Sequence, residues 1–381
     1  MNEDEYEFFT DGDEYQEYYI SLIESAKKSV TIQTYIFKLD SFGTKVYNAV
    51  IEAAKRDVSV SIVVDYFGSI DFSRDKKNHL NSFPNIDFIF FNSFSNLRLL
   101  QFGRRLHHKI LVIDSFQAIV GGINIVEYDF GQKMSFPRLD FAIKVSGSPV
   151  AKIEQYAYQI FTSTMNNKFI EKHYKIVNPA DSKVKVLTND WYLNRKEIKN
   201  NYATLIRQSK KSIILIHGYF FPSMKMVNLL KKKSAEGVDI TLVLPLYSDW
   251  TTWIWATKHL YKKLFNAHIE ILVWKKSTLH GKLGIFDNKI VTIGSHNLNY
   301  TSSFGNLEMN IQVKDSHFTS EIIDKVKVMV AEGATKYISK NEITTPFKII
   351  RNFFFYVLLI SMAQLTIFSM GLAKLLKRSK T

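Results

Sequence analysis

Two stretches decide the fold: HHKILVIDSFQAIVGGIN at residues 107–124 and HGKLGIFDNKIVTIGSHN at residues 280–297. The first places His107, Lys109, Asp114, Gly121, Gly122 and Asn124 at the same internal spacing as His280, Lys282, Asp287, Gly294, Ser295 and Asn297 in the second. KILVID and KLGIFD are apolar strand runs, and residues two apart on a strand face the same way. Each motif therefore projects one imidazole and one ammonium to a common face, while His108 and Gly281 point to the other. The following runs, AIVGGIN and IVTIGSHN, read as return strands whose glycines allow close backbone approach. That approach brings Asn124 and Asn297 near the His–Lys pairs.

The motifs are the centre of a longer internal repeat. LIESAKKSVTIQTYIF (22–37) answers LIRQSKKSIILIHGYFF (205–221), each an amphipathic helix ending in a basic pair and followed by a strand. AAKRDVSVSIVVD (53–65) answers KSAEGVDITLVLP (233–245), and NIDFIFFN (85–92) answers HIEILVW (268–274). Helices alternating with β-rich runs predict an α/β protein with layered sheets. The turn formers of VNPADSK (177–183) divide it into a first half at residues 1–178 and a second at 179–340. A duplicated domain predicts a pseudo-two-fold arrangement with a shared site where the halves meet.

Two His, two Lys and two Asn converging on one spot suit a phosphoryl group. The ammoniums and amides bind its oxygens and the charge that develops during transfer. One neutral imidazole attacks phosphorus, and the other, protonated, donates to the departing oxygen before the roles reverse. The duplicated pattern leaves open which histidine attacks, and His107 is taken as the nucleophile. Asp114 and Asp287 complete the two motifs and are counted with the catalytic set, although their places at strand ends suit structural support better than acid catalysis. His108 reads as a packing residue. No cofactor or metal is called for, since cationic side chains supply the charge, and no His-x₃-His or carboxylate-spaced helix accompanies the histidines.

Composition narrows the substrate. The 381 residues contain no cysteine, which removes disulfides, thiolate metal sites and a cysteine nucleophile. The net charge is +14, and because residues 1–20 hold eight acids and no Lys or Arg, the remainder carries +22. So basic a surface attracts polyanions, either nucleic acid or anionic lipid. The acidic N-terminus is the opposite of a secretory leader. From Phe353 to Ala373 no charged residue occurs, with Lys348 and Arg351 before and Lys374, Lys377, Arg378 and Lys380 after. Twenty-one residues of helix measure about 31 Å, the thickness of a bilayer core. Residues 347–376 are thus expected to form a membrane anchor, spanning by length, with an interfacial lie left open by Ser361, Gln364 and Ser369 near one face. The catalytic part is expected on the cytoplasmic side. Arg98, Arg104 and Arg105 in NSFSNLRLLQFGRR (92–105) suit a loop on anionic headgroups. DWTTWIW (249–255) suits either an interfacial aromatic patch or helix packing.

Both motifs resemble the paired HKD signatures of the phospholipase D superfamily, over residues 8 to about 320. Within it, FTDGDEYQEYYISLIESAKKSVTIQTYIF, RRLHHKILVID with AIVGGINI, YFFPS and NLEMNIQV are similar to segments of bacterial cardiolipin synthases, in the branch without N-terminal membrane helices. The resemblance implies two tandem α-β-α sandwich halves. It also implies transfer of a phosphatidyl group between phosphatidylglycerol molecules through a phosphohistidine. A downstream acid orients each histidine in that family, and Asp140 and Glu308 occupy the matching places. The chain departs from the family by carrying its apolar segment last, and by placing His217, in HGYFFPS, where a threonine-rich loop is usual. A phospholipase D-type hydrolase and a membrane-tethered nuclease are the alternatives with the same chemistry.

Overall fold

The computed structural model describes residues 5–93, 104–127, 138–165, 178, 182–190, 195–248, 250–299, 302, 305–337 and 345–378, with side chains of the last helix described to residue 365. Among them the first sheet is built from β1 (Tyr6–Thr10), β2 (Ser29–Thr34), β3 (Ser59–Asp65), β4 (Ile86–Phe91), β6 (Lys109–Ile113), β7 (Gln117–Gly121) and β8 (Phe141–Ser146). The second contains β9 (Val184–Asp190), β10 (Arg195–Lys196), β11 (Ser212–His217), β12 (Asp239–Pro245), β13 (Glu270–Trp274), β14 (Lys282–Phe286), β15 (Ile290–Gly294), β16 (Asn306–Lys314) and β17 (Ala334–Lys336).

Strand order makes the duplication explicit. The first sheet runs β1-β8-β7-β6-β2-β3-β4, and the second contains β9-β16-β15-β14-β11-β12-β13 in the same sense. In both, three parallel strands are joined by helices, and the two motif strands form an antiparallel hairpin beside them. The apolar runs SVSIVVD and DITLVLP lie at the middle of the parallel part, where both faces are covered and the last four residues of each are all buried.

Each sheet carries helices on its outer face. Asp13–Ser25 and Ser41–Lys55 close one core with Val30, Ile32, Val60 and Ile62; Glu197–Gln208, Met224–Ala235 and Thr251–Phe265 close another with Ile213, Leu215 and Leu242. The inner faces share a third core, in which Val120, Phe141 and Ile143 of the first half join Ile293, Met309 and Ile311 of the second. The halves are therefore fused through apolar burial, the dominant stabilising term in folding.

Two polar features reinforce that junction. β5 (Arg105–Leu106), from the first half of the chain, pairs with β16 in the second sheet. The Arg104 guanidinium makes a buried ion pair with Asp190. Arg105 lies over the Phe67 ring, 3.9 Å from its centroid. Arg104 does not serve the headgroup-facing role expected of the 92–105 segment, because its charge is spent on Asp190 inside the protein; residues 94–103 lie outside the described residues.

The helix Pro346–Arg378 docks by its N-terminal turns on the helix Thr251–Phe265. Phe355 meets Trp255 at 4.9 Å, Tyr356 meets His259 at 4.6 Å, and Arg351 covers Trp255 at 4.4 Å. Trp253 packs edge-on against Tyr219 and Phe221. Helix packing thus accounts for Trp253 and Trp255, whereas Trp250 is 65% exposed. Over Pro346–Leu365 the mean hydropathy is 1.4 and only 6% of the apolar window is buried, so the segment is long and apolar enough to cross a membrane.

Candidate active site

β6 and β14 place their first residues at the junction of the halves, and the chain just before each strand is stitched to the opposite half. The backbone N–H groups of His107 and His108 both donate to Leu307 O at 3.0 Å, while those of His280 and Gly281 donate to Leu139 O at 2.9 and 2.7 Å. The residue after each accepting leucine is an acid. Glu308 consequently faces His107, with Nδ1 donating to Oε2 at 3.0 Å, and Asp140 faces His280, with Nδ1 donating to Oδ2 at 2.5 Å. Each histidine is oriented by the acid of the other half, a crossing that sequence spacing alone does not reveal.

The lysines complete the cluster. Lys109 Nζ donates to His107 O at 2.6 Å, and Lys282 Nζ donates to the His280 carbonyl and lies 3.7 Å from Asp140 Oδ2. Burial pushes the Lys109 ammonium down to about 7, helped by repulsion from Lys282, and pushes Lys282 down to about 8 despite Asp140 and Glu308. Burial also lowers His107, against the pull of Glu308, and lowers His280 to about 3 with Lys282 adding to the effect. For the acids burial acts the other way, yet Lys282 and His280 hold Asp140 below its ordinary value, and His107 does the same for Glu308. Burial thus favours neutral imidazoles, each with Nδ1 facing a carboxylate, and at His280 Lys282 Nζ also comes within 2.7 Å of Nδ1.

The Gly-Gly and Gly-Ser difference has a steric cause. A Cβ on Gly122 would lie 2.2 Å from Asp140 Oδ1, so only glycine leaves room for that carboxyl. At the equivalent place Ser295 instead donates its hydroxyl to Glu308 Oε2, and Asn306 Nδ2 donates to Oε1 at 3.1 Å. Gly122→Ser is expected to displace Asp140 and cost roughly 100-fold in turnover, as an ångström-scale misplacement does. Steady-state kinetics beside a melting curve checks it; an active, equally stable variant would refute the steric account.

Asn124 Oδ1 accepts from Ile36 N at 3.2 Å, leaving its amine as a donor, and Asn297 Oδ1 is buried without a hydrogen-bond partner. Asp114 and Asp287, grouped above with the catalytic set, stand elsewhere. They cap the far ends of β6 and β14, roughly 20 Å from the histidines at the rise of an extended strand. Asp114 accepts from the backbone N–H groups of Lys27, Lys28 and Ser29, and Asp287 from those of Lys210, Lys211 and Ser212. Both carboxyls sit low because these donors outweigh partial burial. Asp114→Ala should cost about 2 kcal/mol of stability by stranding the donors, with turnover kept within severalfold at a temperature below the melt. Loss of turnover in a fully folded variant would return Asp114 to the reaction.

Four further residues stand out. His108 is buried behind the strand, with Nε2 2.8 Å from Gln33 Oε1 and its ring against Tyr156, as expected of a packing residue. His217 is opposite Lys282 in the β11–β14 register, with both ring nitrogens unpartnered. Tyr35 and Tyr219 flank the two histidines, 5.3 Å from the His107 ring and 5.9 Å from the His280 ring. Neither tyrosine was singled out from the sequence, although both follow the first strand of a repeat, in YIF and YFF.

A duplicated α/β fold with crossed His–acid pairs and two buried lysines at its seam is the architecture of a phospholipase D-superfamily enzyme. The family described as cardiolipin synthase, PLD-like domain, matches residues 19–134 and 202–330, and the chain belongs to it. Cardiolipin synthase B of Escherichia coli (strain K12) is 26% identical over 326 residues, spanning 84% of this chain and 79% of that protein. Cardiolipin synthase 1 of Bacillus anthracis is 28% identical over 330 residues, 84% of this chain and 64% of that one. Among solved structures, phosphatidylserine synthase of Haemophilus influenzae Rd KW20 shares the fold with a TM-score of 0.70 at 13% identity, covering 94% of each chain.

Proposed function

We propose that this enzyme is a phosphatidyltransferase of the cardiolipin synthase type, held at the membrane by its terminal helix with the catalytic halves on the cytoplasmic side. The observation that carries the reading is the pair of crossed His–acid contacts, Glu308 with His107 and Asp140 with His280, beside Lys109 and Lys282. In this reading the halves are 1–178 and 179–340, the anchor is 347–376, and the donor and acceptor are both phosphatidylglycerol.

His107 Nε2 attacks phosphorus of the donor; the N–P bond forms as the bond to the headgroup glycerol oxygen breaks. His280 gives that oxygen its proton, and glycerol leaves. The free hydroxyl of a second phosphatidylglycerol then passes its proton to His280 and attacks the same phosphorus, breaking the N–P bond. The product carries two phosphatidyl groups on one glycerol. Lys109, Lys282 and the Asn124 amine hold the non-bridging oxygens throughout. The unpartnered Oδ1 of Asn297 suits the other headgroup hydroxyl of the acceptor as its missing donor, since the attacking one gives its single proton to His280.

The neutral resting state of His280 fits this scheme once substrate charge is counted. An anionic phosphodiester beside the imidazole favours its protonated form, so the general acid is made on binding. In kcat/KM, which reports the free enzyme, activity should be lost as pH falls through the depressed His107 value. It should also fall as pH rises, first because His280 of the free enzyme must gain its proton and then more steeply through the 7–8 range of the two lysines, instead of near an ordinary lysine value. In kcat the alkaline limb should move upward, because bound phosphate stabilises both ammoniums. A kcat/KM profile flat to pH 10 would refute the assignment of Lys109 and Lys282 as phosphate-binding cations. The reaction itself is tested by incubating purified enzyme with phosphatidylglycerol vesicles and identifying the products: cardiolipin and glycerol are expected. Phosphatidic acid alone would make the enzyme a hydrolase, and turnover of single-stranded oligonucleotides without lipid turnover would make it a nuclease.

A further inference from the structure

Away from the catalytic seam, the helices Met224–Ala235 and Thr251–Phe265 leave an open cavity of about 650 Å³ near their C-terminal ends. It is lined by Lys231, Lys262, Lys263, His259, His268 and Asn266, together with two alanines. No carboxylate lines it. Glu236 is engaged by Lys232 and Lys233, whereas Lys231, Lys262 and Lys263 have no ion pair among the described residues. A lysine or two in a last helical turn answers the negative end of the helix dipole. Three unpaired lysines from two helices, with two imidazoles, exceed that need and describe a receptor for an anion.

The wall of this cavity also belongs to the terminal helix contact. The His259 ring lies 5.4 Å from Phe353 and 4.6 Å from Tyr356. Phe353 is itself 52% exposed, and the apolar surface continues through Phe354, Val357 and Leu358. A cationic cavity that opens beside an exposed apolar helix matches an amphiphile, with the phosphate among the lysines and the acyl chains along the helix. Inorganic phosphate shares the headgroup chemistry but has no use for the apolar face.

We propose that this cavity binds the headgroup of an anionic phospholipid at a second, non-catalytic site, fixing the enzyme's depth and orientation at the bilayer. The proposal rests on the reading of the terminal helix as membrane-attached. It requires nothing of the catalytic histidines.

The test uses the full chain with Lys231, Lys262 and Lys263 all changed to Gln. A second variant changes Lys45, Lys210 and Lys289, exposed lysines elsewhere, so that net charge falls equally. Binding is measured to phosphatidylcholine vesicles with and without phosphatidic acid. The cavity variant should lose about tenfold more affinity for the anionic vesicles than the control variant, from local lysine–headgroup attraction. Both should keep wild-type binding to neutral vesicles and wild-type turnover of a short-chain, water-soluble phosphatidylglycerol. Equal losses in the two variants would reduce the effect to diffuse charge and overturn the site. Tight calorimetric binding of inorganic phosphate, lost in the cavity variant with anionic-vesicle affinity unchanged, would overturn the lipid assignment. Loss of soluble-substrate turnover in a folded cavity variant would place the cavity in the reaction instead. Failure of the wild type to bind any vesicle would sink the membrane reading and this proposal together, while leaving turnover of the soluble lipid to judge the catalytic reading separately.

Discussion

His107→Ala and His280→Ala are each expected to lower phosphatidyl transfer by about 10⁴-fold or more, because residues that act as a catalytic unit fail together when one is removed. The two variants should nevertheless fail differently. Without His107 no N–P bond can form, whatever the leaving group. Without His280 the first step lacks only a proton for the departing oxygen. A phosphatidyl ester of p-nitrophenol removes that need, since p-nitrophenolate leaves unprotonated. His280→Ala should therefore release a burst of p-nitrophenol and accumulate phosphatidyl-enzyme on His107, detectable by mass spectrometry after acyl-chain cleavage, while His107→Ala releases none. The reverse pattern would exchange the roles of the two histidines, and normal turnover by either variant would remove that residue from the reaction.

Much of the fold was legible because the duplication is written in local patterns. The repeated helix–basic pair–strand segment at 22–37 and 205–221 corresponds to the helices Asp13–Ser25 and Glu197–Gln208 with β2 and β11. Period-two alternation within the motifs put His107 with Lys109, and His280 with Lys282, on common faces, and His108 lies buried on the opposite side. These are statements about neighbours in sequence, where strand geometry suffices.

What stayed hidden depends on contacts between distant segments. The exchange of acids arises because Leu139 and Leu307 accept hydrogen bonds from the opposite motif, and no spacing rule encodes that. The steric reason for Gly122 is the Asp140 carboxyl, eighteen residues on in sequence yet in contact with it. Arg104 read as a surface cation because its partner Asp190 lies 86 residues away. Asp114 and Asp287 stand apart from the histidines for a related reason: a motif lists residues that share a strand, and a strand has two ends. Their carboxylates serve the turn at the end away from the histidines.

The crossed pairs make the second large prediction. Glu308→Gln and Asp140→Asn preserve shape but remove the charge that fixes the Nδ1–H tautomer and stabilises the imidazolium. By analogy with the buried acid of a hydrolase triad, each should cost about 10²–10⁴-fold in turnover. Magnitude alone would not distinguish crossed from same-half pairing, since both acids lie in one site. Titration does. Glu308 raises the His107 value and Asp140 raises that of His280. Removing Glu308's charge should therefore lower His107 further and shift His280 much less, and Asp140→Asn should do the converse. Nitrogen-15 spectra of the two rings across pH would read both at once. If Glu308→Gln moved His280 more than His107, the pairing described here would be wrong. If each acid moves the histidine of the opposite half, neither half has a complete catalytic histidine alone. The apolar core shared by the sheets is then a condition of catalysis as well as of stability, because any slip between the halves separates both histidines from their acids together.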